Sequence, residues 1–95
     1  MAYKLVVKEE ASLEIKEAYF YYEKKKIGLG TLFLNTLGSY LERLRKSPEH
    51  FPKKNNFFRE AVIKQFPYMI IFRIEEDEVY VLSVFNTWRD PKRKP

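Results

Sequence analysis

Phe66-Pro67-Tyr68-Met69-Ile70-Ile71-Phe72-Arg73-Ile74-Glu75, interrupted by Glu76-Asp77 and resumed as Glu78-Val79-Tyr80-Val81-Leu82-Ser83-Val84-Phe85-Asn86, encodes two strands and the turn between them. Both runs are rich in β-branched and aromatic residues, and the acidic dipeptide reads as a tight hairpin even though it has no glycine. Met69 to Phe72 are apolar at both parities. Alternation along a strand sends neighbours to opposite faces, so this strand is expected to be covered on both sides and to lie near the middle of a sheet.

Working towards the N-terminus, Phe57 to Lys64 reads as a further strand, preceded by a loop over Ser47 to Asn56 that Pro48, Pro52 and Asn55-Asn56 mark. Before the loop the period changes. Phe33, Leu37, Tyr40, Leu41 and Leu44 recur at helical spacing over Thr31 to Lys46, and Ala11, Ile15, Ala18, Tyr19 and Tyr22 do so over Glu9 to Lys26. Acidic Glu9-Glu10 opens the first helix, and Lys24-Lys25-Lys26 and Arg43, Arg45, Lys46 close the two helices, each matching the helix dipole. Gly28 and Gly30 follow a helix rather than a strand and lack a third glycine, so the pair is expected to be a stop and turn, not a nucleotide loop. Tyr3 to Val7 supplies a short first strand. The order is β-α-α-β-β-β: an α+β fold with a helix hairpin packed on a largely antiparallel sheet.

Ninety-five residues, 45% hydrophobic and 17% aromatic, suffice for one domain over 1–95 with a single core. The absence of cysteine excludes disulfides and thiolate metal sites, and one histidine, His50, is a poor basis for a metal. No metal or cofactor is expected. Lysines break the apolar run at the N-terminus, so neither a signal peptide nor a membrane span is read there, and the expected address is cytoplasmic. The net charge of +5 suits a nucleic acid or an acidic protein as partner. Arg89 to Pro95 sets Arg89, Lys92, Arg93 and Lys94 against Asp90 alone, as either a contact segment or a solubilising tail.

Several residues carry possible chemistry. Arg59 shares a strand face, by alternation, with Phe57, Ala61 and Ile63, and must either pair with a glutamate such as Glu75 or Glu60 or meet an anionic target. Asn86 and Trp88, of one parity, end the last strand beside Arg89. An arginine that holds phosphate and an indole that stacks on a base suit single-stranded nucleic acid, while Trp88 capping the core edge is the plainer alternative. Lys53 and Lys54 precede the Arg59 strand as a solvated pair or as stabilisers of negative charge. Tyr19 to Tyr22 surround the first helix with aromatics, so one or two should stay on the surface, where they favour protein contacts.

An arginine shortly before an F-P-Y strand start, an acidic turn and an Arg-Asp-Pro finish resemble the RelE/ParE superfamily of small bacterial toxins, over nearly the whole chain. The resemblance implies the toxin of a type II toxin-antitoxin module, associated with plasmid stabilisation and growth inhibition and held inactive by a cognate antitoxin. It also allows a homodimer or a toxin-antitoxin hetero-oligomer. In the ParE-like branch the toxin binds DNA gyrase without chemistry of its own. In the RelE-like branch it is an endoribonuclease that cleaves ribosome-bound mRNA, with Arg59 and Arg89 on the phosphate, Lys53 or Lys54 stabilising charge and Trp88 stacking. Several RNA-cleaving members place a histidine where Asn86 stands, and their terminal tyrosine has no counterpart here, which favours the ParE-like branch. A non-toxic nucleic-acid-binding module, or a decayed toxin, is a third reading. In either toxin branch Arg59→Ala and Arg89→Ala are expected to lower toxicity with the fold intact.

Overall fold

The computed structural model describes residues 2–88. Strand β1 (Lys4–Val7) leads into helices α1 (Glu9–Lys25) and α2 (Leu29–Lys46), a 3₁₀ turn at Pro48–His50, and strands β2 (Arg59–Ile63), β3 (Tyr68–Glu75) and β4 (Glu78–Asn86). This is the expected α+β order. The sheet runs β1-β4-β3-β2, antiparallel except that β1 lies parallel to β4. β3 is interior, as its two-sided apolar pattern requires: Ile70 and Phe72 join the helix-side core, while Ile71, of opposite parity, is equally buried.

The hairpin closes without glycine because Glu76 adopts a left-handed backbone (φ 56°). The Lys4 N–H then donates to Asp77 O at 2.9 Å and ties β1 to the turn. Between Ile71 and Phe72 the β3/β4 register shifts by one residue. At that irregularity the Glu14 carboxylate of α1 accepts the Ser83 hydroxyl at 2.8 Å and the Val84 N–H at 2.9 Å. One helix side chain thus supplies the acceptor that a bulged ladder leaves missing.

Two expectations change. β2 begins at Arg59 rather than Phe57 because the Asn55 side-chain Oδ1 accepts the Phe57 and Phe58 N–H groups at 2.8 and 3.0 Å, holding that segment in a turn. Gly28, at φ 92°, is the turn glycine, but Gly30 already lies in the first turn of α2. A Cβ on Gly30 would stand 2.6 Å from the Tyr19 carbonyl oxygen and 2.9 Å from the Glu23 carboxylate, so the hairpin closes on a bare backbone. Glu23 accepts the Gly28 and Gly30 N–H groups, both at 3.0 Å.

Gly38, in the middle of α2, would meet nothing within 4 Å. Opposite effects are expected in urea unfolding. Gly30→Ala should lose about 1–3 kcal/mol through overpacking, whereas Gly38→Ala should gain about 0.5–1 kcal/mol through lower backbone entropy. Equal effects would mean that Gly30 marks no close approach.

The core gathers where α1, α2 and β3 meet: Phe33 stacks on Tyr22 and receives Phe66 and Tyr68 edge-on, at centroid distances of 5.5, 5.2 and 5.1 Å. Of the Tyr19–Tyr22 cluster, Tyr22 is buried while Phe20 and Tyr21 stay exposed, as the sequence pattern requires. Among the described residues no helix is long and apolar enough to cross a membrane, and no histidine, cysteine or carboxylate cluster could hold a metal.

Candidate functional site

Arg59 opens β2 opposite Phe72, on the parity that Ala61 and Ile63 bury against the helices. Its Nη1 donates to Phe51 O at 2.7 Å and to Glu49 O at 3.3 Å, so the guanidinium fastens the segment after α2 to the sheet. The glutamate pairing anticipated for it does not occur: Glu60 reaches Lys54 at 3.9 Å and Glu75 reaches Arg73 at 3.6 Å. The same segment is held from just before β1, where the Tyr3 hydroxyl donates to the Glu49 carboxylate. That hydrogen bond, more than any other influence, holds the Glu49 carboxyl below its ordinary range and pushes the Tyr3 phenol above its own.

The anchoring gives Arg59 a share in stability. Arg59→Ala is expected to cost about 1–2 kcal/mol, since two carbonyls lose a charged donor. Thermal unfolding followed by circular dichroism checks this. An unchanged melting temperature would mean that the turn stands without Arg59.

Lys53 bridges antiparallel to Arg59, which brings two of the sequence-derived residues together. Beside them a cleft of about 140 Å³ is lined by Lys53, Arg59 and Arg73 with Asn55, Asn56, Phe57, Phe58 and Ile74. Lys54 leaves this group for Glu60. Arg73, which sequence reasoning missed, lies with its guanidinium 5.0 Å from the Tyr80 ring centroid, and its Nε is buried without a hydrogen-bond partner among the described residues. A lone cation in an otherwise apolar strand was the available signal.

Asn86 and Trp88 sit elsewhere. Asn86 pairs with Tyr68 at the far end of β3, four residues from the Phe72 that faces Arg59, or about 14 Å along the strand at ~3.4 Å per residue. The strand stops there, so alternation no longer sets the Trp88 direction. The Asn86 side-chain oxygen instead accepts the Trp88 N–H at 2.8 Å, and the Thr87 N–H donates to Pro67 O. Trp88 is 83% exposed and caps no core. Arg89 and the rest of the basic finish lie outside the described residues.

The helix hairpin on this sheet order has the fold expected of the RelE/ParE superfamily, and a family match over most of the chain makes it a toxin of that superfamily. The chain belongs to the ParE toxin family of type II toxin-antitoxin systems, parDE, whose family model matches residues 5–91. Among solved structures, a chain of the chromosomal ParDE toxin-antitoxin system from P. aeruginosa superposes with a TM-score of 0.79. That match has 13% sequence identity and covers 90% of this chain and 96% of the other, so it is a likeness of fold. No curated protein matches the chain.

Proposed function

We propose that this ParE-family toxin acts by binding DNA gyrase and blocking replication, performs no chemistry itself, and is held inactive by a cognate antitoxin that covers its working surface. The observation that carries the reading is the family match over residues 5–91. The geometry supports it from the side of catalysis. One Nη of Arg59 is engaged by backbone carbonyls, Asn86 cannot relay a proton, and the groups that would hold, activate and stack on a scissile RNA stand at opposite ends of β3. An exposed tryptophan is the side chain most suited to anchor a protein interface, and Trp88 serves as the gyrase contact in this reading, flanked by Arg89. A replicon that carries such a pair would be retained, because loss of the antitoxin frees the toxin.

Inducing the chain alone in bacterial cells and pulse-labelling DNA and protein synthesis tests the proposal. An early fall in DNA synthesis is expected; an early fall in protein synthesis would replace it with the RNA-cleaving mechanism, and no effect on growth with a non-toxic binding module. In a supercoiling assay with purified gyrase, Trp88→Ala is expected to weaken inhibition at least about tenfold, roughly 1.4 kcal/mol, with the melting temperature unchanged. Undiminished inhibition would remove Trp88 from the contact.

A further inference from the structure

Residues 43–59 hold Arg43, Arg45, Lys46, Lys53, Lys54 and Arg59 against the single carboxylate Glu49, a net of +5 that equals the formal charge of the whole chain. The fold bends this stretch through the last turn of α2, the 3₁₀ turn and the return into β2. Two clefts result, joined by the Phe51-Pro52-Lys53 backbone: one of about 220 Å³ lined by Arg43, Lys46, Ser47, His50 and Phe51, and the Lys53–Arg59–Arg73 cleft. Among the described residues no aspartate or glutamate lines either. Glu42 pairs with Arg45 and Glu60 with Lys54, so Arg43, Lys46 and Lys53 have no carboxylate within 4 Å among the described residues.

Two features narrow the ligand. The Arg43 guanidinium is held over the Tyr40 and Phe51 rings, 5.2 Å from each centroid, which orients a planar donor for phosphate before any ligand arrives. The second cleft also offers an open ring, Phe57, which is 75% exposed, whereas Phe51 in the first is already covered by Arg43. Cations set beside an open ring are the arrangement that takes a single strand, backbone on the charges and a base on the ring. An acidic peptide fits less well, because the adjoining edge of β2 is already occupied: Pro52 O accepts the Glu60 N–H and the Tyr40 hydroxyl accepts the Lys64 N–H. We propose that this belt binds the phosphodiester backbone of a single-stranded nucleic acid, a contact that goes beyond the gyrase reading and requires no gyrase.

The test is fluorescence anisotropy of the purified 95-residue chain with labelled dT15, rU15 and a 15-base-pair DNA duplex, from 50 to 200 mM KCl. Both single strands should bind more tightly than the duplex, and a dT15/rU15 preference shows which strand the belt takes. Lys46→Gln/Lys53→Gln changes one exposed lysine in each cleft. It should weaken binding at least about tenfold at 50 mM, reduce the slope of log K against log salt by about 1.4, and leave the melting temperature unchanged. Phe57→Ala should weaken binding about tenfold with the slope unchanged, the signature of lost stacking. Lys92→Gln/Arg93→Gln/Lys94→Gln should retain most of the affinity. The proposal is overturned if the belt variant keeps the parent slope, if the tail variant alone abolishes binding, if the duplex binds best, or if polyglutamate displaces dT15 at equal charge concentration.

Discussion

Phe33→Ala is expected to destabilise the protein by about 3–5 kcal/mol, the range for deleting a buried aromatic ring. Phe33 is fully buried on α2, and its ring touches Tyr22 of α1, Phe66 of the β2–β3 turn and Tyr68 of β3. Tyr22 also meets Phe66 and Tyr68 edge-on, at 4.8 and 6.2 Å, so deleting the Phe33 ring opens a cavity inside a cluster of four rings. Domains of this length hold about 5–15 kcal/mol in total, at about 4–8 °C of melting temperature per kcal/mol, so the variant should melt roughly 15–30 °C lower. Phe33→Leu, which keeps apolar volume, should lose less than half as much. Urea unfolding measures both. A loss under about 1 kcal/mol for the alanine variant would show that Tyr22, Phe66 and Tyr68 close over the gap. The effect should also reach the Asn86–Trp88 end of the sheet, because Tyr68 pairs with Asn86 and the neighbouring Pro67 receives the Thr87 N–H.

What the sequence made legible was local and periodic. The spacing of Phe33, Leu37, Tyr40 and Leu44 places α2, and two-parity burial places β3 inside the sheet, because a period maps directly onto a face. What stayed hidden depends on contacts far apart in sequence. The parallel seat of β1 beside β4, the closeness of Gly30 to Tyr19 and the carbonyl partners of Arg59 all arise only once helices and sheet are docked. The candidate site divided along the same line. Lys53 and Arg59 come together because a seven-residue loop returns on itself, while Trp88 parts from them because β3 has two ends. The charge of residues 43–59 was missed because it is spread over a helix end, a turn and a strand start, and becomes one surface only after the chain bends.

Glu14→Ala is expected to cost about 2–3 kcal/mol, a large effect for a half-buried glutamate on a helix whose propensity the substitution improves. The register shift between Ile71 and Phe72 takes β4 out of step with β3, and the Val84 N–H turns to Glu14 Oε1, which the Ser83 hydroxyl also reaches. Val84 is fully buried and Ser83 nearly so, and without the carboxylate neither donor has water to fall back on. Desolvated donors set the magnitude, not a surface charge, so added salt should change the loss little. Glu14→Gln keeps a carbonyl acceptor and should recover more than half of it, and Ser83→Ala in the Glu14→Ala background should recover part by removing one stranded donor. Thermal unfolding should show a fall of about 10–20 °C for Glu14→Ala, and amide exchange at Val84 should quicken well before global unfolding does. A fall under 3 °C with Val84 still protected would mean that the ladder alone holds the bulge. Otherwise the last residues of β4, and through them the Asn86–Trp88 end proposed to meet gyrase, are held in place by a helix residue some seventy positions earlier in the chain.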